Sequence, residues 1–288
     1  MQRLIHISQR LMASVSLDFQ RYLFQRIDWQ QRLIVILGHR GVGKTTLVLQ
    51  RMSRVPEAAL YLSLDDFYWE THRLAEAAED LYEAGYRYLF LDEVHRYPHW
   101  SADLKIIYDA YPEMRMVVTG SSLMEIARGR ADLSRRAVVY ALRGLSLREY
   151  LQLETGKSWP SFSLDDIIEK HPDLSVTLTE QLAIRPYFQE YLRQGYYPFY
   201  REGKDAYPRR LQEILDLILE LDVATVEGLS YATVRKMRQL LMVISQLVPF
   251  KPNVSNLAER LEASRNTILK LMDSLAKAGI LQLLYSDV

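Results

Sequence analysis

The sequence lacks cysteine, an excess of either charge and any long apolar run. The absence of cysteine excludes disulfides, thiolate catalysis and thiolate-bound zinc, and it favours a reducing, cytoplasmic location. The 36 basic and 36 acidic residues cancel, so no overall charge attracts the chain to nucleic acid or to an anionic membrane. The apolar runs are much shorter than the roughly 20 residues that cross a bilayer, and the first residues lack the continuous apolar segment of a signal peptide. We therefore expect a soluble protein without a membrane partner.

Apolar residues are abundant but are distributed in short runs. The 288 residues are 49% hydrophobic and 25% charged, which is a globular composition, and this length favours about two or three subdomains. Runs typical of strands alternate with helical sequence, which predicts an α/β fold with a parallel sheet; they are LIVIL (33–37), LYLSL (60–64), YLFL (88–91), MVVT (116–119) and VVYAL (138–142). Because the runs are apolar throughout, helices are expected on both faces of the sheet. Ligands bind at the carboxyl ends of the strands in such a fold.

After the predicted sheet the sequence becomes helical. Apolar residues recur at three- and four-residue spacing through residues 145–228, which predicts a helical lid or linker region. Prolines are expected to separate its helices, namely Pro160, Pro172, Pro198 and Pro208. The run EYLRQGYYPFY (190–200) is interpreted as an aromatic packing cluster, with a binding role left open as the alternative.

The last part of the chain has the pattern of a winged helix-turn-helix. A long amphipathic helix is followed by two helices with a tight turn between them, for which Ser264 is the expected N-cap and Gly279 the expected stop. The final run, ILQLLYSDV (280–288), is expected to begin the wing. The predicted domains are therefore the domain that contains the parallel sheet (1–144), the helical region (145–228) and the winged-helix domain (229–288), for which a truncated form is left open.

Residues 38–45, GHRGVGKT, have the spacing G-x-x-x-x-G-K-[ST] between a predicted strand and a predicted helix. Glycines let the backbone turn its N–H groups inward, which forms an anion-binding site at a helix N-terminus. We expect Lys44 to contact the β- and γ-phosphates of ATP, Thr45 to ligate Mg²⁺ and Thr46 to support the α-phosphate side. The expected nucleotide-binding residues are Gly38, His39, Arg40, Gly41, Val42, Gly43, Lys44, Thr45 and Thr46. The alternative is a glycine turn with an incidental lysine.

Two further strands end in residues that suit phosphate chemistry. Asp92 is expected near Mg²⁺, and Glu93 near the γ-phosphate, where it can orient or deprotonate a water molecule. Alone, such an acidic pair is often a solvated strand end, but after a phosphate loop it predicts the Walker B motif of a hydrolytic ATPase. Thr119 ends the next strand and is a candidate for holding the attacking water, with a turn cap as the alternative. Asp65 and Asp66 are candidates for placing magnesium or water, with a solvated strand end as the alternative.

Several arginines precede the fifth strand, and one of them could reach a phosphate of its own or a neighbouring subunit as an arginine finger; they are Arg128, Arg130, Arg135 and Arg136. A solvated charged face is the alternative for each.

The phosphate loop, the acidic pair, Thr119 and the arginines follow one another in an order that resembles the prokaryotic AAA-type ATPases, of the AAA+ superfamily, that carry a winged helix and a C-terminal domain of unknown function. That family has Gln-Arg-x-Pro-x-Trp after the Walker B motif, where this sequence has HRYPHW (95–100).

The resemblance implies further properties. Arg136 aligns with the family's arginine before the fifth strand and is therefore the candidate catalytic arginine, which could act on a neighbouring copy in a homo-oligomer. The sheet order would be 5-1-4-3-2. Members of that family continue past the winged helix, so this chain is expected to be a shortened form or a fragment.

Three functions compete at this stage. The first is an ATP-driven switch that binds ATP (or ADP) and Mg²⁺ and couples hydrolysis to movement of the helical and winged-helix regions; no N-K-x-D motif indicates guanine. The second is a nucleotide-regulated DNA-binding protein, whose recognition helix would present Arg265, Asn266, Thr267 and Lys270; winged helices also bind protein clients. The third is small-molecule phosphotransfer, for which no acceptor pocket is recognisable.

Overall fold

A computed structural model of the chain describes residues 1–55, 58–120, 133, 135–224, 228–246 and 251–284. Its centre is a sheet of five parallel strands, which are β1 (Leu33–Leu37), β2 (Ala59–Ser63), β3 (Tyr88–Asp92), β4 (Arg115–Gly120) and β5 (Val138–Ala141). The spatial order is β2-β3-β4-β1-β5, which confirms the order that the family resemblance implied. The carboxyl ends of β1, β3 and β4 therefore meet at one edge of the sheet.

Helices pack on the sheet and follow it along the chain. They are α1 (Gln2–Ser14), α2 (Leu23–Arg26), α3 (Lys44–Met52), α4 (Leu74–Glu83), α5 (Trp100–Ala110), α6 (Leu147–Thr155), α7 (Leu164–Gln181), α8 (Ile184–Gln194), α9 (Tyr207–Leu217), α10 (Tyr231–Ser245), α11 (Val254–Arg260) and α12 (Arg265–Lys277). Across the described ranges, none of these helices combines the length and apolarity that a membrane span needs.

Side chains of β1 alternate between two buried layers, because successive residues of a strand point to opposite faces of the sheet. Leu33 and Val35 pack in the layer that contains apolar residues of α1, α4 and α5. Ile34 and Ile36 pack in the layer that contains apolar residues of α2, α3 and α6. Helices thus cover both faces, as the uninterrupted apolar runs predicted.

The helical region differs from the prediction at one proline. Pro172 lies inside α7 rather than between two helices. Ser163 begins this helix with a capping box, in which its side chain and that of Asp166 each accept the other residue's backbone N–H. None of the α7 residues is buried, so solvent is available to the backbone carbonyl that a proline leaves without its helical partner.

The C-terminal helices α10, α11 and α12 pack around a separate apolar cluster. A π-helical segment of the helical region, Ile218–Val223, also contributes side chains to this cluster. The Ser264 side chain accepts the N–H of Thr267 and caps α12, and Gly279 has a positive φ of 76° just after this helix. Both boundary predictions are therefore confirmed. Residues 281–284 form no strand, and residues 285–288 of the predicted wing lie outside the described residues.

Candidate functional site

The glycine loop connects β1 to α3, as the sequence predicted. Gly41 and Gly43 have φ angles of 78° and 94°, which lie in the left-handed region that glycine adopts at little cost. Gly38 is required for space, because a Cβ atom there would lie 2.3 Å from the carbonyl oxygen of Leu142. Within the described residues no side chain caps the first turn of α3. The first N–H groups of this helix are therefore available to an anion.

Lys44, the first residue of α3, is buried inside the loop. Its Nζ atom donates hydrogen bonds to the carbonyl oxygens of Gly38 (2.9 Å) and His39 (3.0 Å). The same atom lies 3.9 Å from Oε1 of Glu93. The ammonium group thus spans the distance from the start of the loop to the acidic pair after β3. It holds a positive charge where a phosphate loop binds the β- and γ-phosphates of a nucleotide.

Asp92 ends β3 and accepts hydrogen bonds from three hydroxyl groups. Oδ2 accepts from Thr45 (2.6 Å) and Tyr61 (2.7 Å), and Oδ1 accepts from Thr119. Asp92 is only 2% exposed, so these bonds replace the water that a carboxylate otherwise binds. Burial, with the nearby Asp92 charge, raises the pKa of Tyr61, which keeps its hydroxyl protonated as a donor. No sequence motif marked Tyr61 as part of the site.

Glu93 has a left-handed backbone (φ 53°, ψ 39°), which is uncommon for a residue other than glycine. Its N–H donates to Oδ1 of Asp92 (3.2 Å) and to Oγ1 of Thr119 (3.3 Å), and these bonds hold the turn. Its Oε2 lies 3.6 Å from Nη2 of Arg40 and 3.5 Å from Nε2 of His95. This oxygen is buried and accepts no hydrogen bond from the described residues. Glu93 therefore presents an acceptor beside the loop.

The Thr119 hydroxyl connects the two acidic residues. It is fully buried, donates to Asp92 and accepts the N–H of Glu93. The structure therefore brings Thr119 to the site but directs its hydroxyl to the acidic pair. In this arrangement the side chain holds the Asp92 carboxylate against the backbone turn at Glu93.

His95 is a neutral neighbour of Glu93. Burial, together with the positive charges of Arg96, Arg40 and Lys44, lowers the pKa of His95 to about 3. Its contact with Glu93 is therefore not an ion pair at neutral pH. The neutral imidazole of His95 thus occupies the position at which the AAA-type family that the sequence resembles has a neutral glutamine. The positive charges that face Glu93 come from Lys44 and Arg40.

A buried ion pair supports the back of the loop. Nε of Arg21 donates to Oε1 of Glu149 at 2.8 Å, and the two side chains are 5% and 3% exposed. The Arg21 guanidinium also donates to the carbonyl oxygens of Val42 (2.5 Å), Arg143 (2.6 Å) and Gly144 (2.9 Å). Arg21 thus joins the glycine loop to the segment that follows β5. Sequence reasoning missed this pair, because its members are far apart in the chain.

The aromatic run packs in the core, as interpreted, and it does so against the loop itself. Tyr197 and Tyr200 are buried in the same layer as α3. A Cβ atom on Gly41 would lie 2.9 Å from the ring of Phe199, and one on Gly43 would lie 4.0 Å from Pro198. The run therefore covers the outer side of the glycine loop.

His39 links the loop to both regions beyond the sheet. Its Nε2 lies 2.8 Å from the carbonyl oxygen of Ala278, at the end of α12, and its Nδ1 lies 3.2 Å from the hydroxyl of Tyr197. A carbonyl oxygen only accepts, so Nε2 carries the proton and Nδ1 accepts from the tyrosine. Burial lowers the pKa of His39, which favours this neutral ring. One loop side chain thus contacts the aromatic run and the C-terminal helices.

Arg136 is not brought to the loop of its own chain. Its Nε and Nη2 atoms each donate to the carboxylate of Asp109 on α5 at 2.9 Å. Arg128 and Arg130 lie outside the described residues, and Arg135 is exposed. The structure therefore gives none of these arginines a contact with the phosphate loop within the described part of one chain.

The acidic residues after β2 have local partners. Asp66 caps the 3-10 turn Phe67–Glu70 and pairs with Arg3, and Asp65 accepts the hydroxyl hydrogen of Ser63. Neither contributes to the hydroxyl network around the Walker B aspartate. Thr46, expected at the α-phosphate side, is exposed on the first turn of α3.

Two oxygen atoms, one from Thr45 on α3 and one from Asp92 at the end of β3, suit a magnesium ion. Oγ1 of Thr45 and Oδ2 of Asp92 are 2.6 Å apart, and hydroxyl and carboxylate oxygens are ligands that Mg²⁺ accepts. Among the described residues no group of three or more acidic or histidine side chains forms a complete cage for a metal.

Comparisons with protein families divide the chain in two. Residues 30–151 match a family model described as an AAA domain. Residues 185–286 match a model described as a domain of unknown function (DUF8612). The first match includes the loop, β3 with its acidic pair and Arg136, and the second includes the aromatic run and the C-terminal helices.

Individual proteins show weaker similarity. An uncharacterized protein of Methanocaldococcus jannaschii is 28% identical over 273 residues, which are 89% of this chain and 57% of that protein, so the chain spans little more than half of this relative. A Walker-type ATPase of Pyrococcus abyssi is 16% identical with a TM-score of 0.47, covering 90% of this chain and 89% of that one. The Holliday junction branch migration motor of Thermotoga maritima is 15% identical with a TM-score of 0.39, covering 94% and 93%.

The family match and the geometry agree on the central region. The AAA-domain match covers the parallel sheet, the phosphate loop and the acidic pair that together form the site. Residues 30–151 thus match the AAA-domain model and contain a parallel sheet, a phosphate loop and an acidic pair.

Proposed function

We propose that this protein is a Mg²⁺-dependent, ATP-hydrolysing switch that couples hydrolysis to movement of its C-terminal regions. One arrangement carries the proposal. Lys44 spans the loop, Thr45 and Asp92 share a hydrogen bond at its base, and Glu93 presents a buried acceptor beside them. These are the groups that binding and hydrolysis of a nucleoside triphosphate require.

Nucleotide binding would use the loop and the start of α3. The N–H groups of the loop and of the first helical turn would donate to phosphate oxygens, and Lys44 would exchange its bonds to loop carbonyls for bonds to the β- and γ-phosphates. Thr45 and Asp92 would hold Mg²⁺, which when bound neutralises charge on the phosphate oxygens. The absence of an N-K-x-D motif from the sequence favours adenine over guanine.

Hydrolysis would use Glu93 as a general base. Its Oε2 would accept a proton from a water molecule as the water oxygen attacks the γ-phosphorus, while the bond from that phosphorus to the β–γ bridging oxygen breaks. The products are ADP and inorganic phosphate. Thr119 and the Asp92 carboxylate would keep Glu93 in its left-handed turn, and neutral His95 would leave its carboxylate free to accept a proton.

Arg136 would act on the site of a neighbouring copy. Its guanidinium lies on the surface of α5 with Asp109 rather than at its own loop, which is compatible with a role between copies. A finger supplied in this way makes hydrolysis depend on association. Specific activity should then rise with protein concentration, and a flat dilution series would contradict this role.

Coupling to the C-terminal regions is supported by the contacts of the loop. His39 contacts Ala278 and Tyr197, and Phe199 lies against Gly41. A change in the loop on nucleotide binding or product release would have to change these contacts. The helices that follow the sheet would then move relative to it.

A nucleotide-regulated DNA-binding function is the second candidate. Arg265, Asn266 and Lys270 are exposed on α12, where the second helix of a helix-turn-helix would meet DNA. A gel-shift titration at increasing salt tests this function, because phosphate contacts give affinity that falls steeply with salt. If the protein binds a protein client but no DNA at low salt, the same helices would instead serve as a docking surface for that client.

Equilibrium binding of ATP tests the proposed site. We expect the wild type to bind ATP with Mg²⁺ and the Lys44→Ala variant to lose most of this affinity, because the charge that faces the phosphates is removed. Lys170→Ala removes an exposed lysine that pairs with Asp166 on its own helix, and it should bind like the wild type. Equal affinity of the wild type and the Lys44 variant would contradict the proposed site.

A further inference from the structure

Helix α7 carries an apolar patch that the described structure leaves uncovered. None of its 18 residues is buried, and Leu164, Ile167 and Ile168 are 71%, 49% and 65% exposed. Residues three and four apart lie on the same side of a helix, so these three side chains form one patch on its first two turns. A helix of a globular protein normally packs such a patch against another element.

A row of carboxylates runs beside the apolar patch. Asp165, Glu169 and Asp173 follow one another at four-residue spacing, and all three are exposed. Like charges at this spacing destabilise a helix. Among the described residues, the ion pair found on α7 joins Lys170 to a different carboxylate, Asp166. A basic, partly apolar partner would therefore stabilise both the row and the patch.

A groove of about 480 Å³ on the C-terminal helices has the opposite charge, and we call it the basic groove. Arg235 and Lys236 line it on α10, and Arg260 lines it at the end of α11. Glu262, in the turn after α11, is the acidic residue of the lining. Nζ of Lys236 donates to the backbone carbonyl oxygen of Glu262 at 2.8 Å, which joins the two walls. The groove thus has a net positive charge.

The arginines of the basic groove are available to an acidic ligand. Arg238 on the same helix forms two ion pairs, whereas Arg235 and Arg260 form none with any described residue. Ala232 and Leu261 add apolar surface to the lining. An amphipathic helix with acidic flanks suits such a groove, because its apolar side chains pack in the groove while its charges meet those of the rim.

We propose that α7 of one copy of this chain docks in the basic groove of a second copy. The row of carboxylates pairs with Arg235 and Arg260, and the apolar patch packs on Ala232 and Leu261. Within the described part of one chain no hydrogen bond or ion pair joins α7 to the groove, so the two surfaces meet between copies. The contact joins two different surfaces, and such contacts build rings or filaments. This inference does not rest on the proposed function.

Sedimentation velocity of the full chain at increasing protein concentration tests the contact. The wild type should self-associate. Its association should weaken between about 0.1 M and about 1 M salt, over which the Debye length falls from about 10 Å to about 3 Å.

Two double variants each damage one of the two surfaces. The helix variant carries Ile167→Ser and Ile168→Ser, and the groove variant carries Arg235→Gln and Arg260→Gln. All four side chains are exposed in the structure, so neither variant removes a buried contact of the single chain. Each should weaken self-association at least about tenfold, because each removes one half of the contact.

Matched controls change the same kinds of side chain elsewhere. Ile106→Ser with Leu192→Ser removes two apolar side chains that are 50% and 67% exposed. Arg185→Gln with Arg201→Gln removes two exposed arginines that do not line the groove. Both control variants should associate like the wild type.

A mixture of the helix variant and the groove variant gives the sharpest result. The helix variant keeps an intact groove, and the groove variant keeps an intact α7. The mixture should form a one-to-one complex although neither variant associates alone, and it should stop at the pair because the two remaining surfaces are both damaged. Formation of this complex also shows that both variants are folded.

Four outcomes would overturn the inference. One is a wild type that sediments as a single copy at every concentration. Another is self-association of both variants at wild-type strength, which would place the contact elsewhere. A mixture that forms no complex would show that the two surfaces do not meet each other. Finally, a groove variant that loses binding to a short DNA duplex but associates like the wild type would assign the groove to nucleic acid.

Discussion

The ion pair between Arg21 and Glu149 gives a prediction about stability that depends on burial. Arg21→Met removes the only charge that faces the buried Glu149 carboxylate in the described structure, and it leaves the Val42 carbonyl without its donor. Removing one partner of a buried pair costs about 3–5 kcal/mol, because the other charge stays buried and uncompensated. We therefore expect the Arg21→Met variant to lose about that amount of unfolding free energy.

A second substitution tests the reason for this loss. Glu149→Gln removes the buried charge but keeps an oxygen that can accept the N–H of Ser146 at the start of α6. In the Arg21→Met background it should restore about 1 kcal/mol or more, the size of coupling found between residues in contact. In the wild-type background the same substitution should destabilise the protein, because it weakens the bond to Arg21.

Urea unfolding at constant pH measures the free energy of unfolding of the wild type, of each single variant and of the double variant. Arg209→Met is the matched control, since its ion pair with Glu213 is 86% and 59% exposed and such pairs contribute less than about 1 kcal/mol. A loss from Arg21→Met no larger than that of the control would refute the argument. A double variant less stable than the Arg21→Met variant would show that the buried charge is not the cause.

Two further predictions concern the loop and its neighbour. The pKa of His95 is about 3 in the folded protein and about 6.5 when unfolded, so the unfolded chain takes up the proton first as the pH falls. Between about pH 7.5 and pH 5 the wild type should lose about 2 kcal/mol more stability than His95→Gln, measured by urea unfolding; equal losses would contradict the assignment. Gly41→Ala should lower the melting temperature more than Gly85→Ala, because both have positive φ but only the Gly41 Cβ would meet Phe199; equal shifts would contradict the contact.

Local patterns were enough to predict the centre of the site. The apolar run at β1, the glycine spacing after it and the acidic pair after β3 each lie within a few consecutive residues. Parallel pairing then brings the ends of β1 and β3 to one edge, so the contact between Thr45 and Asp92 follows from the motifs. The order of the strands came from the family resemblance rather than from periodicity.

The supporting contacts could not be predicted, because they join distant parts of the chain. Arg21 and Glu149 are 128 residues apart, and His39 and Ala278 are 239 apart. Each is an ordinary residue in its own stretch of sequence, and only the folded arrangement pairs them. The sequence predicts a helix boundary at Pro172, but a capped, solvent-exposed helix accommodates this proline. Local propensity does not reveal such tertiary context.

Phosphate release from ATP by the Glu93→Gln variant tests the central claim most directly. The wild type and Glu113→Gln, which changes an exposed glutamate on the surface, are the references, and ATP binding is measured for all three proteins. If Glu93 is the general base, its variant binds ATP like the wild type but releases phosphate at least about 100-fold more slowly. Phosphate release by the Glu93 variant at the wild-type rate would contradict the account.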